Sequence, residues 1–326
     1  MNCSNLKCKK EIKNYYTCSK CGKSFCTNAC MTEHTLEHHT GQVKRGNGRV
    51  SGSRSVFQKN GTFLKEIVND PQYSLEKFEF IKSKNGELQN LGSGAFGDVY
   101  LVKSKRDGKL YAVKQMEKEK IVEVGATLEV IYNEINIHQR LIHENIIRLY
   151  SHFEDDKSFY LIMDHSNSGT LFNVIKRSKG LDEYSAFKYF IQAVSAVSFL
   201  HENLLVHRDL KPENMLLDDQ GKVRLCDFGW CVDISTGQRV TFCGTYEYMA
   251  PELIKEIPYD TSIDVWSLGI LLYELLHGYS PFRSQNDDDC DDYNEIFKNI
   301  LKYNFKIEKN VSKNCQDLLS STYFFI

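Results

Sequence analysis

The amino-acid sequence predicts an α+β fold. Apolar and polar residues alternate over much of residues 78–113, which predicts paired strands, because successive side chains of a strand point to opposite faces. Apolar residues recur at helical spacing over residues 181–200 and 263–276. We therefore expect one folded domain over residues 73–326, with strands concentrated in its first part and helices in its second.

The composition is typical of a globular protein. The 326 residues are 41% hydrophobic and 26% charged, with a formal net charge of −2. These values exclude a disordered or collagen-like chain and predict no general attraction to nucleic acid or anionic membranes. The longest apolar stretch, residues 265–276, is interrupted by Glu274 and is shorter than the ~20 residues that span a bilayer. No signal-peptide core follows Met1, so we expect an intracellular protein of the cytoplasm, the nucleus or both.

Cysteine is concentrated at the start of the chain. Six of the eleven cysteines lie within the first thirty residues, and three histidines follow. A disulfide scaffold would need an export signal, so this spacing instead predicts tetrahedral, structural zinc sites. The eight candidate ligands are Cys3, Cys8, Cys18, Cys21, Cys26, Cys30, His34 and either His38 or His39. The alternative is a single site made by Cys18, Cys21, Cys26 and Cys30, or a set of redox-active thiols.

Residues 1–40 are similar to zinc fingers of the HIT, MYND or treble-clef type, although the spacing of the first cysteine pair departs from theirs. A module of this size buries little surface and is expected to fold only with metal. Such fingers imply a protein partner more than a nucleic acid. Residues 41–72, rich in Gly, Ser and basic residues, are expected to form a flexible linker. This linker is either plainly solvated or a docking patch for an acidic partner.

A glycine-rich loop gives the first sign of phosphate chemistry. It contains the pattern G-x-G-x-x-G and runs Leu91, Gly92, Ser93, Gly94, Ala95, Phe96, Gly97, Asp98 and Val99. Glycines allow backbone amides to approach phosphate oxygens. In dinucleotide folds such a loop leads into a helix, whereas strand-like residues follow here. Lys114 on the next predicted strand therefore favours a nucleotide triphosphate, and Glu134 is expected to pair with Lys114.

Two downstream motifs carry the groups needed for phosphoryl transfer. Within residues 207–214, Asp209 can accept or orient the proton of an attacking hydroxyl, and Lys211 can steady the transferred phosphate. Asn214 and Asp227, thirteen residues apart, offer the hard oxygen ligands that magnesium prefers. A loop of structurally satisfied polar residues is the alternative, and the occurrence of all these motifs in order disfavours it.

These motifs together resemble those of the eukaryotic protein kinase family. The resemblance extends from residue 78 to the C-terminus and includes Ala250-Pro251-Glu252 and the D-V-W-S-L-G segment that begins at Asp264. It implies a two-lobed fold that uses ATP and Mg²⁺, with Met163 as the gatekeeper beside the hinge. The ATP-binding residues that it implies are Leu91, Gly92, Ser93, Gly94, Ala95, Phe96, Gly97, Val99, Ala112, Lys114, Glu134, Met163, Asp164, His165, Ser166, Glu213, Asn214 and Asp227.

Within that family the chain resembles serine/threonine kinases, and among them the Aurora group. Lys211 and the Gly244-Thr245 pair are similar to the serine/threonine class, and Trp230 directly after the D-F-G motif is similar to Aurora kinases. His138 stands where Aurora kinases carry a polar residue, although an ordinary exposed helix histidine would explain it equally well. A place at the spindle or centrosome follows only by analogy.

The same resemblance implies that Thr241 is an activating phosphorylation site. Its phosphate would add about −1.5 to −2 charge and could recruit Arg208 to order the segment. Arg239 lies two residues before Thr241, similar to the basic preference of Aurora substrates. Autophosphorylation between two molecules is therefore expected.

The C-terminal part departs from the family pattern. Kinases pair the glutamate at the position of Glu252 with a late arginine, but no arginine follows Arg283. We therefore expect Glu252 to lack a partner, and the apolar run before Ile326 suggests that the last helices of the domain are missing. The alternative function is a non-catalytic zinc-finger scaffold whose kinase-like domain is incomplete or binds only nucleotide.

Overall fold

The computed structural model describes residues 16–17, 24–25, 75–94, 96–235, 237–283, 293–307 and 311–324. The chain divides into two compact units, residues 1–62 and 63–326. In the first unit, strands β1 (Tyr16–Thr17) and β2 (Ser24–Phe25) pair in antiparallel fashion. All the predicted zinc ligands lie outside the described residues, so both zinc sites stay predictions.

The second unit begins with a six-stranded antiparallel sheet, the first lobe. Its strands are β3 (Phe78–Phe80), β4 (Asn90–Gly94), β5 (Gly97–Ser104), β6 (Leu110–Glu117), β7 (Leu149–Glu154) and β8 (Ser158–Asp164). They are ordered β3-β5-β6-β8-β7, with β4 also paired to β5. These bounds confirm the strands predicted over residues 78–113.

Two helices follow β6 and pack on this sheet. They are α1 (Lys118–Glu123) and α2 (Leu128–His138). Ile131 and Ile135 of α2, one turn apart on the same face, are buried in a cluster with Met116 and Phe159 of the sheet. This face of α2 packs against the sheet. Glu134, next to Ile135, is therefore also buried, and its residue is only 2% exposed.

The second lobe is mainly helical. Its helices are α3 (Leu171–Ser178), α4 (Glu183–Glu202), α5 (Pro251–Ile254), α6 (Ser262–His277), α7 (Tyr293–Leu301) and α8 (Lys313–Phe324). Four short strands form two antiparallel pairs, β9 (Leu205–Val206) with β12 (Val232–Asp233) and β10 (Met215–Leu217) with β11 (Val223–Leu225). Short 3-10 helices cover Leu75–Lys77, Pro212–Asn214 and Tyr246–Tyr248.

Helix α6 lies at the centre of the second lobe. All of it except Ser262 and Val265 is buried, and Trp266 stacks on Phe282 with ring centroids 5.5 Å apart. The helix ends at Gly278, where φ is 88° and a Cβ would lie 2.7 Å from the Lys179 backbone, so the position requires glycine. The two predicted helices are confirmed as α4 and α6, and the two-lobed α+β fold is confirmed with them. Across the described residues, no helix has the length and apolar character needed to cross a membrane.

Candidate active site

The glycine-rich loop is the tip of the β4–β5 hairpin. Gly94 pairs with Gly97 across the tip, so the loop leads into a strand, as predicted. Asp98 Oδ1 accepts hydrogen bonds from Ser93 Oγ at 2.6 Å and Asn90 Nδ2 at 3.2 Å, which hold the two strands together. A Cβ on Gly97 would lie 1.9 Å from the Gln115 carbonyl oxygen, so no other residue fits without displacing β6. Ala95 lies outside the described residues.

Lys114 on β6 lies between two carboxylates. Its Nζ is 2.7 Å from Glu134 Oε1 and 3.7 Å from Asp227 Oδ1. Burial alone would lower the pKa of Lys114, but the charges of Glu134 and Asp227 raise it above its ordinary value. The predicted pair of Lys114 with Glu134 is therefore present, and it fixes an ammonium group beside the D-F-G aspartate.

Asp227 is held in an uncommon backbone conformation. Its φ is 62°, the left-handed region that residues other than glycine rarely adopt outside functional sites. Burial would raise the pKa of its carboxyl group, but the charges of Lys114 and His207 lower it overall. Asp227 is therefore ionised at neutral pH and available to a cation.

The catalytic-loop aspartate, Asp209, is surrounded by hydrogen-bond donors. Its Oδ2 accepts from Asn214 Nδ2 at 3.0 Å and lies 3.1 Å from Lys211 Nζ. Its Oδ1 accepts from the backbone N–H of Thr245 at 3.1 Å and from Thr245 Oγ1 at 2.8 Å. Lys211 Nζ also donates to Thr245 Oγ1 at 2.8 Å. The structure therefore brings together three predicted residues and a fourth, Thr245, which we had used only to assign the acceptor type.

A buried carboxylate on α6 positions the catalytic loop. Asp264, 1% exposed, accepts the backbone N–H groups of His207 at 2.9 Å and Arg208 at 3.0 Å. Its Oδ2 also lies 2.9 Å from His201 Nε2. These bonds fix the loop immediately before Asp209, with Arg208 at φ 71°. The D-V-W-S-L-G motif marked Asp264, but its partners lie more than fifty residues earlier and could not be read from the sequence.

Two histidines flank the D-F-G phenylalanine. The Phe228 ring lies 4.6 Å from that of His138 and 5.3 Å from that of His207. His138 is 2% exposed, with Nε2 2.7 Å from the Ile147 carbonyl oxygen, so the interpretation of an ordinary exposed helix histidine is wrong. Burial lowers the pKa of His138 to about 4, which keeps it neutral at physiological pH. This packing ties α2 to the segment that carries Asp227.

The activation segment, which lies between the D-F-G motif at 227–229 and Ala250-Pro251-Glu252, is linked through Arg208 to the catalytic loop, residues 207–214. The Arg208 guanidinium donates to the Trp230 carbonyl oxygen at 2.6 Å and to the Tyr259 hydroxyl at 2.8 Å. The Tyr259 hydroxyl in turn donates to the Thr241 carbonyl oxygen at 3.3 Å. Thr241 itself is exposed. The Tyr259 hydroxyl thus links Arg208, which is predicted to bind the phosphate, to the backbone of Thr241, which is predicted to carry it.

The remaining predicted nucleotide-binding residues lie on β4, β5, β6 and β8 and just beyond them. Met163 on β8 pairs with Ala112 on β6, and Leu161 on β8 pairs with Lys114 on β6. The predicted hinge therefore follows the strand that is hydrogen-bonded to the strand of Lys114. The Asp164 carboxylate accepts a hydrogen bond from Tyr150 at 2.6 Å, which fixes the end of β8 before His165 and Ser166. Leu91 is 40% exposed and Val99 is half-buried.

Asn214 and Asp227 fit the donor set that magnesium requires. The Asn214 carbonyl oxygen accepts the backbone N–H of Cys226 at 2.9 Å, which places Asn214 beside the residue that precedes Asp227. The Asn214 Nδ2 group donates to Asp209, which leaves the amide oxygen as its ligand atom. Two oxygen donors and the phosphates of a nucleotide are a usual set for Mg²⁺. Among the described residues, no group of three or more His, Cys, Asp or Glu side chains is placed to hold a metal ion.

Two buried carboxylates, Glu252 on α5 and Glu274 on α6, form no ion pair within 4 Å among the described residues. The Tyr248 hydroxyl donates to Glu274 Oε2 on α6. Burial, together with the charges of Glu213 and Glu247, raises the pKa of Glu274 to about 7. Glu252 Oε2 is buried and has no hydrogen-bond partner among the described residues, in agreement with the prediction made for this residue.

Comparison with known proteins gives concordant matches. Residues 86–323 match the family model described as a protein kinase domain. An Aurora kinase of Schizosaccharomyces pombe is 40% identical over 230 residues, 71% of this chain and 63% of the relative. Aurora kinases of Yarrowia lipolytica and Encephalitozoon cuniculi are each 38% identical, over 87% and 76% of this chain and 73% and 87% of the relatives. The chain thus spans less than two thirds of the length of the Schizosaccharomyces pombe relative.

Proposed function

The chain belongs to the protein kinase family, in which it is Aurora-like, and from this premise we propose that it transfers the γ-phosphate of ATP to serine or threonine of protein substrates. The observation that carries the proposal is Asp209, held by Asn214, Lys211 and Thr245 at 2.8–3.1 Å. The paired Lys114 and Glu134 complete the set. The scaffold alternative is not favoured, because a domain that only binds nucleotide does not need this arrangement around Asp209.

The proposed reaction is an in-line displacement. A serine or threonine hydroxyl oxygen bonds to the γ-phosphorus, and the bond from that phosphorus to the β,γ-bridging oxygen breaks, with ADP leaving. Asp209 accepts or orients the hydroxyl proton, Lys211 steadies the transferred phosphoryl group, and Lys114 holds the other phosphates. Asn214 and Asp227 would hold Mg²⁺, which neutralises negative charge on the phosphates.

The acidic groups beside the active site support a basic substrate. Glu213 lies within the catalytic loop, between Lys211 and Asn214, and its charge raises the pKa of Glu247 and Glu274. A cationic substrate side chain would relieve this repulsion. Arg239, two residues before Thr241, presents such a side chain in this protein's own sequence. We infer that Thr241 is phosphorylated by a second copy of the chain and that its phosphate then pairs with Arg208.

Phosphotransfer to matched peptides tests the proposal. The substrate is a peptide with arginine two residues before serine, and its two controls carry tyrosine or alanine in place of the serine. Full-length wild-type protein with Mg-ATP is expected to phosphorylate the serine peptide and neither control peptide. The Asp209→Asn variant is expected to phosphorylate none of the three peptides. Folded wild-type protein that transfers no phosphate to the serine peptide would contradict the proposal.

We further propose that residues 1–40 form a zinc-binding finger that recruits a protein partner through a linker of residues 41–72, ahead of a kinase domain over residues 73–326. The support is the cysteine and histidine spacing. Metal analysis of full-length protein is expected to give two zinc ions per chain, and Cys18→Ser with Cys21→Ser is expected to lower that number. Zinc-free protein, purified without chelator, would rule the finger out.

A further inference from the structure

A basic cavity lies beside α3, between the end of β8 and the second lobe. Its volume is about 330 Å³, and it is lined by Ser168, Asn173, Lys176 and Arg177. Lys176 and Arg177 are exposed, and neither forms an ion pair within 4 Å among the described residues. Two cations that line one cavity without a carboxylate repel each other. The cavity therefore favours an anionic group.

Local hydrogen bonds leave donors on the side chains that line this cavity. Asn173 Oδ1 accepts the backbone N–H of Thr170 at 3.1 Å and the Thr170 hydroxyl at 2.9 Å, which leaves the amide N–H groups of Asn173 for a ligand. Arg177 Nε donates to the Asn173 carbonyl oxygen at 3.0 Å, which leaves the two terminal nitrogens of the guanidinium. The groups that Asn173, Lys176 and Arg177 offer to a ligand are therefore all donors, and a carboxylate is an acceptor that fits them.

Backbone hydrogen bonds place the cavity next to the catalytic loop. The Ser168 N–H donates to the Leu217 carbonyl oxygen at 3.1 Å, and the Leu217 N–H donates to the Gly169 carbonyl oxygen at 2.9 Å. The 3-10 helix Pro212–Asn214, directly before β10, also contacts α3. This 3-10 helix carries Glu213, one of the acidic groups that support a basic substrate. The cavity is therefore a basic neighbour of the acidic region.

We propose that this cavity binds the carboxylate of a glutamate or aspartate in the protein substrate, on the N-terminal side of the substrate's arginine. The inference rests on the proposed function, in which the acceptor hydroxyl lies at Asp209 and the arginine at the carboxylates near Glu213. An extended peptide that continues in this direction passes α3. The eight residues of α3 extend about 12 Å, and five residues of an extended peptide extend about 17 Å. The acidic residue therefore falls about three to seven residues before the acceptor.

Steady-state kinetics with paired peptides test this subsite. Each peptide has arginine two residues before serine, and the two members of a pair carry glutamate or glutamine at one position, from three to seven residues before the serine. For full-length wild-type protein with Mg-ATP, glutamate is expected to lower KM by about 3- to 10-fold relative to glutamine at one position or at two adjacent positions. The kcat should not change, because the carboxylate binds equally in the ground state and the transition state.

Matched variants assign this preference to the cavity. Lys176→Gln with Arg177→Gln removes both charges and should abolish the preference for glutamate. Lys188→Gln with Arg140→Gln removes one exposed lysine and one exposed arginine outside the cavity and should retain the preference. Lys176→Glu with Arg177→Glu reverses the charge and should favour lysine over glutamine at the same peptide position.

The glutamine peptides separate failure of this inference from failure of the proposed function. If the wild type phosphorylates them but shows no preference for glutamate at any position, the cavity is not an acidic subsite, although the proposed function stands. A preference that survives in Lys176→Gln with Arg177→Gln overturns the inference in the same way. If folded wild-type protein phosphorylates none of the peptides, the proposed function fails, and this inference fails with it.

Discussion

The active site and the region that follows the activation segment differ in how their buried charged groups are paired. In the active site, Lys114 contacts Glu134 and lies near Asp227, so the pKa of the lysine is raised and that of Asp227 is lowered. In the second region, burial raises the pKa of both Glu252 and Glu274, and neither has a cation within 4 Å among the described residues. The charged forms are favoured in the first region and disfavoured in the second.

This difference shows which buried charged groups already have a partner of opposite charge within the described fold. The reacting groups of a phosphotransferase must be in place before the substrate arrives, because preorganised charges need no rearrangement during the reaction. The buried carboxylates of the second region are instead favoured in their neutral forms, because burial penalises their charge. We therefore expect the first region to carry out the chemistry, whereas the second holds carboxylates whose charged forms are disfavoured. Four predictions test this division, and the first two concern the active site.

The largest expected effect follows from Asp209→Asn. The amide can still accept hydrogen bonds from Thr245 but cannot take the proton of the attacking hydroxyl, so the initial rate of phosphotransfer should fall by about 10²–10⁴-fold. The thermal midpoint should fall as well, because the new amide nitrogen faces the Asn214 amide and the Lys211 ammonium group, so circular dichroism is used to check that the variant is folded at the assay temperature. A rate within threefold of the wild type would show that Asp209 is not the catalytic carboxylate.

The next largest effect follows from Lys114→Met. Removal of the ammonium group leaves Glu134 buried without its partner, which should cost about 3–5 kcal/mol of unfolding free energy. Urea unfolding followed by circular dichroism measures this loss. Adding Glu134→Gln to the same protein should recover most of the stability but none of the phosphotransfer. If Lys114→Met were as stable as the wild type, the active-site charges would not be coupled as described.

A smaller effect is expected at the boundary between the two regions. Thr241→Ala removes the phosphate that would pair with Arg208, and the loss of one or two charge-assisted hydrogen bonds should lower phosphotransfer by about 10- to 100-fold. Thr241→Ser keeps a phosphorylatable hydroxyl and should retain most of the activity. Equal rates for the alanine variant and the wild type, both preincubated with Mg-ATP, would exclude Thr241 as an activating site.

The smallest effect concerns stability and pH in the second region. Burial, aided by Glu213 and Glu247, raises the pKa of Glu274 from 4.5 to about 7. Between these values the folded protein binds more protons than the unfolded chain, so the free energy of unfolding falls as pH rises through this window. Glu274→Gln should therefore be more stable than the wild type at pH 8, by about 1–3 kcal/mol, and similar to it at pH 4.5. Chemical unfolding at the two pH values measures the difference, and a constant difference would contradict the assignment.

Short sequence motifs predicted the pair of Lys114 with Glu134, which the structure contains, and they single out Asp209 and Asp227 for catalytic and metal-binding roles that stay predictions. Contacts between distant segments were not predictable in this way. Thr245 reaches Asp209 from 36 residues away, and Tyr259 joins Arg208, 51 residues earlier, to the Thr241 carbonyl oxygen, 18 residues earlier. Such pairs depend on the packing of the second lobe around α6, which periodicity does not specify.

Burial was the second property that the sequence did not determine. A histidine near the end of an amphipathic helix is usually exposed, yet His138 is enclosed between α2 and Phe228. By contrast, the finding that no arginine pairs with Glu252 among the described residues could be predicted, because no arginine follows Arg283 in the sequence.

The central claim is that the active site is complete within this chain, and phosphate mapping after incubation with Mg-ATP tests it most directly. Full-length wild type and Asp209→Asn are incubated in parallel and examined by mass spectrometry. We expect phosphate on Thr241 in the wild type and none in Asp209→Asn. A folded wild type that binds Mg-ATP but carries no phosphate at any serine or threonine would contradict the claim and restore the scaffold as the better interpretation.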